Sequence, residues 1–321
     1  MHLPRAPRID LISFLKLSIS IGLLAWVIHG IDIEEFRSVL SSLPVTYLML
    51  AATLILLQIP VLAHRWFRIL FVLEERPEWL MVCKATYVGI FFNQVLPGSV
   101  GGDIIRIAQL RATGMSLRVS TNSVLLERLS GLYALILLMV VLVPIVEPML
   151  PGRSLAVLAA TLVGLATAGF IILAYVDRLV PNWRPLAFAK KALAAVRSDY
   201  LKLVRNGSTT VYTLLLGAIS WSLNLWAIYL LGIGVGIELP VATYFFFGGL
   251  SVLASVLPIS MAGWGVREGA MVALFGFMDI PPAQAMTVSV TFGVLMVLTS
   301  LPAGLLWLRS AVRGHQREYV E

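Results

Sequence analysis

Residues 95–106 read VLPGSVGGDIIR, and residues 256–267 read VLPISMAGWGVR. The two stretches share the frame V-L-P-x-S-x-[GA]-G-x-x-x-R without a gap. Their offset of 161 residues is half of the 321-residue chain. Paired apolar segments that Gly and Pro interrupt, in corresponding halves of a membrane protein, point to a transporter's binding site. The copies differ where Asp103 corresponds to Trp264, and where Ile107 corresponds to Glu268.

The composition indicates an integral membrane protein. Hydrophobic residues make up 59% of the chain and charged residues 13%, and several apolar runs are long enough to cross a hydrocarbon core about 30 Å thick. We predict spans at residues 11–29, 46–63, 123–146, 155–175, 210–231 and 285–308. The first run is long and has no small-x-small cleavage site, so we interpret it as a retained helix. The single Cys83 excludes a disulfide framework and a cysteine-based metal cluster, and we predict no cofactor.

The basic residues indicate on which side of the membrane each connection lies. They account for the net charge of +7 and sit between apolar runs, where the positive-inside rule places them, so we predict no nucleic-acid partner. The connection at 177–206 holds seven Lys and Arg, whereas the one at 232–240 holds none. These counts alternate consistently, with both termini cytoplasmic, if each motif region enters and leaves the membrane on the same side.

This condition predicts an all-α polytopic membrane protein with one integral membrane domain made of two inverted-topology repeats. The repeats cover about residues 1–150 and 151–321, and each has about three full spans and one re-entrant helical hairpin, at 79–113 or 241–280. Because three is an odd number, the two repeats insert in opposite orientations. In the alternative topology each hairpin contains a full crossing, which fits the loop charges less well.

Residues 183–205 form a separate pattern between the two halves. Apolar residues recur there at helical spacing, with lysines and arginines on the other faces. This pattern predicts a basic amphipathic helix on the anionic cytoplasmic leaflet. A plain linker helix is a compatible alternative.

The two helix breaks predict a binding site. A Pro followed by small residues breaks a helix, and such a break is tolerated in hydrocarbon only inside protein or beside a watery cavity. The restarted helix directs its N-terminal amides at that cavity and favours an anion such as phosphate. Arg106 and Arg267, one turn into each restarted helix, would clamp phosphate with bidentate hydrogen bonds. The alternative is a pair of hairpin tips that only pack, with each arginine reaching out to water.

Other polar residues in apolar surroundings extend this predicted site. Intramembrane charges usually face a cavity or each other, so Asp103 could pair with Arg106, and Arg267 with Glu268. Glu127 and Arg128 could reach the interface, pair with the hairpin or face headgroups. Each residue alone is equally compatible with a structural hydrogen bond. The substrate-binding residues that we predict are Asn93, Ser99, Gly102, Asp103, Arg106, Glu127, Arg128, Ser260, Gly263, Arg267 and Glu268.

The motifs resemble those of a known membrane family, and no enzyme signature competes with them. The sequence has no Walker A loop, no G-x-S-x-G and no H-E-x-x-H, so we predict that the chain is not an enzyme. NQVLPGSVGGDIIR at 93–106 looks like the signature of the lysylphosphatidylglycerol synthase transmembrane-region family, which consists of flippase-like proteins. ERLSGL at 127–132 resembles that family's second motif, and PIS at 258–260 with GWGVREG at 263–269 resembles its third.

The resemblance implies a lipid translocase without the aminoacyl-transferase domain to which the best-known members are fused. We expect a multi-pass protein, in a bacterial cytoplasmic (inner) membrane, that moves a phospholipid or another lipid with a polar or anionic headgroup between leaflets. A separate lipid-modifying enzyme or glycosyltransferase is an expected partner. Two alternatives stay open: a non-transporting scaffold for such an enzyme, and a secondary transporter for a small solute.

Overall fold

The computed structural model describes residues 29, 32–96, 100–149, 155–179, 181, 186–256 and 260–318, with side chains as far as residue 308. Throughout these ranges the protein is helical and has no strand, as the sequence predicts. Two short 3-10 helices, Glu147–Met149 and Gly276–Met278, follow the fifth and tenth α-helices. The α-helices are α1 Ile33–Ser42, α2 Val45–Val72, α3 Trp79–Val95, α4 Gly101–Ala112, α5 Leu117–Val146, α6 Leu155–Tyr175, α7 Ala187–Arg205, α8 Gly207–Gly234, α9 Val241–Val256, α10 Val266–Phe275 and α11 Pro282–Glu318.

Five segments are long and apolar enough to span a membrane, which confirms a multi-pass membrane protein. They are Val45–Val72, Leu117–Met149, Leu155–Tyr175, Gly207–Gly234 and Pro282–Leu308. Each contains one of the predicted spans. The predicted span at 11–29 lies outside the described residues, apart from residue 29. Large apolar side chains point outward from these helices, as Val141 (71% exposed) and Leu165 (68%) illustrate, and a bilayer would cover such a surface.

The second predicted span is longer than the sequence indicates. We expect it to end at residue 63, but α2 continues to Val72 because its last two turns are buried. Trp66, Ile69 and Leu70 are fully buried in this part of the helix. The extension places Arg65 inside a helix that packs along α8, rather than in a connection at the membrane surface.

Both motif regions form pairs of helices with a break between them. α3 ends at Val95 and α4 begins at Gly101, and the two helices pack against each other. α9 ends at Val256 and α10 begins at Val266, again as a packed pair. The prolines of the two motifs, within residues 97–99 and 257–259, lie outside the described residues. The paired helices are present, and their re-entrant topology stays a prediction.

The amphipathic helix between the halves is α7, and it is fastened to the spans. Asp199 is 2% exposed. Its carboxylate accepts hydrogen bonds from Asn122 at 2.6 Å and from Arg118 at 2.8 Å, both of α5. These two donors replace the water that the carboxylate loses on burial. Tyr200 and Leu203 pack on the same side, against Ile69 and its neighbours. The contact of the basic face with lipid stays a prediction.

Candidate functional site

Five charged side chains of α2, α4 and α5 form one buried network. Glu127 lies at its centre, because one carboxylate oxygen pairs with Arg65 and the other accepts a hydrogen bond from Nη1 of Arg106 at 3.0 Å. Asp103 lies 3.7 Å from Nη1 of Arg106 and also pairs with Arg128. The network therefore combines three guanidinium groups with two carboxylates. Arg65, Arg106, Glu127 and Asp103 are each less than 10% exposed, so the charges interact at a low effective dielectric constant.

Glycines make room for Arg65 between two spans. A Cβ atom added to Gly131 of α5 would lie 2.7 Å from Nη1 of Arg65, and one added to Gly217 of α8 would lie 3.0 Å from the same atom. The first distance is shorter than real Cβ contacts, and the second is tighter than most of them. The glycine of the ERLSGL motif is therefore explained by packing: its missing side chain leaves the space that the guanidinium group of Arg65 occupies.

The first helical pair is held in register by Asn93 and two glycines. The Oδ1 atom of Asn93 accepts a hydrogen bond from the backbone N–H of Gly102 at 2.9 Å, and this satisfies one of the free amides at the start of α4. A Cβ atom on Gly102 would lie 2.7 Å from the Asn93 side chain. A Cβ atom on Gly89 would lie 2.7 Å from the Cγ and Cδ atoms of Arg106, so the glycine leaves the space that this side chain occupies. This packing directs Arg106 from α4 towards Glu127.

The network borders a cavity of about 250 Å³ that lies among α2, α3, α5 and α8. Arg65 and Arg106 both line it, and four of their buried nitrogen atoms have no hydrogen-bond partner among the described residues: Nε and Nη1 of Arg65, and Nε and Nη2 of Arg106. The Oδ1 atom of Asn224, whose amide group bonds to Gln58, is a buried acceptor without a partner there. The polar lining residues are Gln58, Arg65, Thr86, Asn93, Gln94, Arg106, Glu127, Arg128, Ser220 and Asn224.

The second motif forms a smaller and closed cluster. Arg267 donates to Oε1 of Glu268 from Nη2 at 2.6 Å, and from Nε to Ser289 Oγ of α11 at 3.1 Å. Glu268 also accepts from Ser289 at 3.0 Å and from the backbone N–H of Gly265 at 2.6 Å. The guanidinium group of Arg267 lies 5.0 Å from the ring centre of Trp264. One positive and one negative charge therefore satisfy each other here, and neither residue lines the cavity.

The chain reverses sharply before this cluster. Gly263 has φ +80° and Gly265 has φ +84°, in the left-handed region that glycine adopts without strain. A Cβ atom on Gly263 would also lie 2.7 Å from that of Ser255. α10 begins one residue after Gly265, so Arg267 lies in its first turn, whereas Arg106 is the sixth residue of α4.

The predicted site residues thus fall into two groups. Asn93, Arg106, Glu127 and Arg128 line the cavity, and Asp103 and Gly102 support them through an ion pair and close packing. Gly263, Arg267 and Glu268 belong to the second cluster, and the buried hydroxyl of Ser260 has no partner among the described residues. Ser99 lies outside the described residues. The predicted pairs Asp103–Arg106 and Arg267–Glu268 are both present, and Glu127 pairs with the hairpin through Arg106.

Arg65 is not among the predicted site residues, because it follows the predicted span at 46–63 and has the position of a basic residue that flanks a span. The signal was present: the apolar run WFRILFV continues through residues 66–72 after it. Gln58 and Ser220 are further cavity residues that no motif marks.

Comparison with known proteins agrees with the resemblance of the motifs. Residues 13–304 match the family described as lysylphosphatidylglycerol synthase TM region. The chain belongs to this family. A protein named "UPF0104 membrane protein" from Methanothermobacter thermautotrophicus is 24% identical, over 75% of this chain and 77% of its own length. The family match includes both motif regions, the first four spans and the fifth span as far as residue 304.

Proposed function

We propose that this protein is a lipid translocase that moves a lipid with an anionic headgroup between leaflets. The observation that carries the proposal is the cavity lined by Arg65 and Arg106, in which four guanidinium nitrogens are buried without a hydrogen-bond partner among the described residues. A buried donor without a partner costs about 1–3 kcal/mol. A phosphate group in the cavity would accept several of these hydrogen bonds together, and guanidinium groups suit phosphate through their planar pairs of donors.

The rest of the lining suits the other parts of a headgroup. Oδ1 of Asn224 and the hydroxyl of Thr86 have no hydrogen-bond partner among the described residues, and together they would bind hydroxyl or ammonium groups. Leu62, Ile90 and Leu132 provide apolar walls between the polar groups. A cavity of about 250 Å³ is large enough for a headgroup and too small for a whole lipid, so the acyl chains would stay in the bilayer.

The proposal includes the inverted-repeat topology with two re-entrant hairpins and both termini in the cytoplasm. α4 has 12 residues and α10 has 10, lengths of about 18 and 15 Å, which fall short of a hydrocarbon core of about 30 Å. Each motif helix would therefore return to the side from which its partner helix entered. The single membrane domain would consist of halves at about 1–150 and 151–321, each with one such hairpin.

We further propose that the protein moves its lipid without catalysing a reaction and without ATP, since the sequence has no Walker A loop. Exchange would then be downhill or coupled to an ion. A scaffold for a glycosyltransferase or a lipid-modifying enzyme is the competing function. It has no use for unpaired donors around an internal cavity, so it leaves the central observation unexplained.

Reconstitution into liposomes tests the proposal. The measurement is the rate at which lipids of the inner leaflet, labelled with a fluorophore on a short acyl chain, become accessible to a membrane-impermeant quencher, for anionic, aminoacylated and glycosylated lipids separately. We expect the protein to accelerate exchange of at least one anionic lipid over protein-free liposomes. Protein-free rates for all three classes would contradict the translocase proposal and favour a scaffold.

A further inference from the structure

A lateral groove on the outer face of the first helical pair is separate from the central cavity. It has a volume of about 730 Å³ and lies between α2, α3, α4 and α11. Its walls are mainly apolar and include Ile59, Leu80, Val88 and Leu306. Among the described residues that line it, Lys84 is the single charged one.

The position of Lys84 in α3 suits contact with a lipid phosphate. It is the sixth residue of α3, about 7.5 Å along the helix from Trp79, whose indole group is typical of the membrane–water interface. Its side chain is exposed and has no hydrogen bond or ion pair with another described residue. A lysine in apolar surroundings keeps its ammonium group near the interface while its stem covers apolar surface.

The groove and the central cavity lie on opposite faces of α3. Thr86, Gly89 and Asn93 of α3 face the cavity, whereas Lys84, Tyr87 and Val88 face the groove. The hydroxyl of Tyr87 donates to the carbonyl of Thr299 at 2.6 Å and so fastens α3 to α11 behind the groove. A lipid in the groove would have its headgroup on one side of α3 and the Arg65–Arg106 donors on the other.

We propose that this groove binds an anionic phospholipid, with the phosphate on Lys84 and an acyl chain along Ile59, Val88 and Leu306. Charge complementarity selects the occupant, because an apolar groove with one cation and no lining carboxylate favours a negatively charged amphiphile over a zwitterionic one. The role of the groove as a site that loads lipid for translocation rests on the proposed function. The binding of a lipid in the groove does not depend on that function.

The single cysteine of the chain provides the probe. Cys83 is half-buried and lines the groove beside Lys84. The experiment measures the alkylation rate of Cys83 by a small maleimide in phosphatidylglycerol nanodiscs and in phosphatidylcholine nanodiscs, and compares the ratio of the two rates between variants. Using the ratio cancels any change that a substitution makes to the intrinsic reactivity of the thiol.

We expect phosphatidylglycerol to slow alkylation of the wild type on the order of fivefold, the occupancy change that one lysine near an anionic headgroup gives. Lys84→Gln should abolish the difference and Lys84→Arg should restore it. Lys191→Gln, which removes an exposed charge from α7, should leave it unchanged. If phosphatidylglycerol slows alkylation of Cys83 equally in the wild type and in Lys84→Gln, the proposal is overturned.

Lipid exchange, measured with the same protein preparations after reconstitution into liposomes, separates this inference from the proposed function. Protection that depends on Lys84, together with no exchange by the wild type, would support the groove site and refute the translocase. Exchange by the wild type with protection that is independent of Lys84 would refute the groove site alone.

Discussion

The two copies of the motif frame produce different electrostatics. The first copy contributes Arg106 and Asp103 to a network that joins three helices and borders a cavity, with four guanidinium donors unpaired among the described residues. The second copy contributes Arg267 to a cluster in which Glu268 and Ser289 satisfy it. The network of the first copy therefore contains donors that have no hydrogen-bond partner among the described residues, whereas Arg267 of the second copy is paired with Glu268 and Ser289.

The difference arises from where each arginine finds its carboxylate. Arg106 donates a hydrogen bond to Glu127, which lies 21 residues later in the span α5. Arg267 donates a hydrogen bond to the neutral Ser289, which lies 22 residues later in the span α11. In the second copy the carboxylate is Glu268, the next residue along the chain. Ionic contacts thus join the first hairpin to its span, while in the second copy the ion pair stays within the hairpin.

The largest effect on stability is expected from removing the shared carboxylate. Glu127→Gln leaves Arg65 and Arg106 buried close together without their counter-charge, and we expect it to lower the free energy of unfolding by about 3–5 kcal/mol. The measurement is unfolding in mixed micelles. Glu74→Gln breaks an exposed pair with Lys202 and is the control, with a much smaller expected effect. A loss no larger than that of the control would contradict the central role of Glu127.

A smaller effect is expected when Arg65 is displaced without changing any charge. In Gly131→Ala the new methyl group meets the guanidinium group of Arg65, and overpacking of this kind costs about 1–3 kcal/mol. Lipid exchange should fall as well, because Arg65 borders the cavity. Gly164→Ala is the matched control, since nothing in the described protein lies within 4 Å of its Cβ position. If Gly131→Ala exchanges lipid at the wild-type rate, as the control should, the prediction that exchange depends on the position of Arg65 is contradicted.

The smallest effect is expected from removing the complete charge pair of the second copy. Arg267→Met combined with Glu268→Gln removes both charges and keeps an acceptor for the amide of Gly265, so we expect stability to change by less than about 1 kcal/mol. The matched double variant Arg106→Met with Glu127→Gln leaves Arg65 without its carboxylate and should be several times more destabilising. Equal losses in the two double variants would refute the asymmetry between the copies.

The sequence predicts the helical membrane fold well because apolar length and helix-breaking residues are local signals. The span at 155–175 coincides with α6, and both motif breaks separate two helices. Helix α1 is not among the predicted elements because it is too short to span a membrane, although Asp32 is placed to cap a helix and accepts hydrogen bonds from the amides of Glu34 and Glu35.

The site is less predictable because its partners come from distant helices. The motifs identified Arg106 and Glu127, but Arg65 is 62 residues from Glu127 and belongs to no motif. Spacing along one helix cannot give the rotation of α2 that points Arg65 at α5. The role of Arg267 in binding phosphate stays a prediction, which the same exchange assay tests through Arg267→Ala.

The most direct test of the central claim compares two arginines of one helix. Arg106 of α4 reaches the cavity, whereas Arg111, five residues later, is exposed and bonds to the carbonyl of Met115. In liposomes with matched protein content and confirmed folding, we expect Arg106→Ala to lower the exchange rate of an anionic lipid at least about tenfold, the loss of one charge-assisted hydrogen-bond partner. Arg111→Ala should retain the wild-type rate. Wild-type exchange by Arg106→Ala would contradict the account.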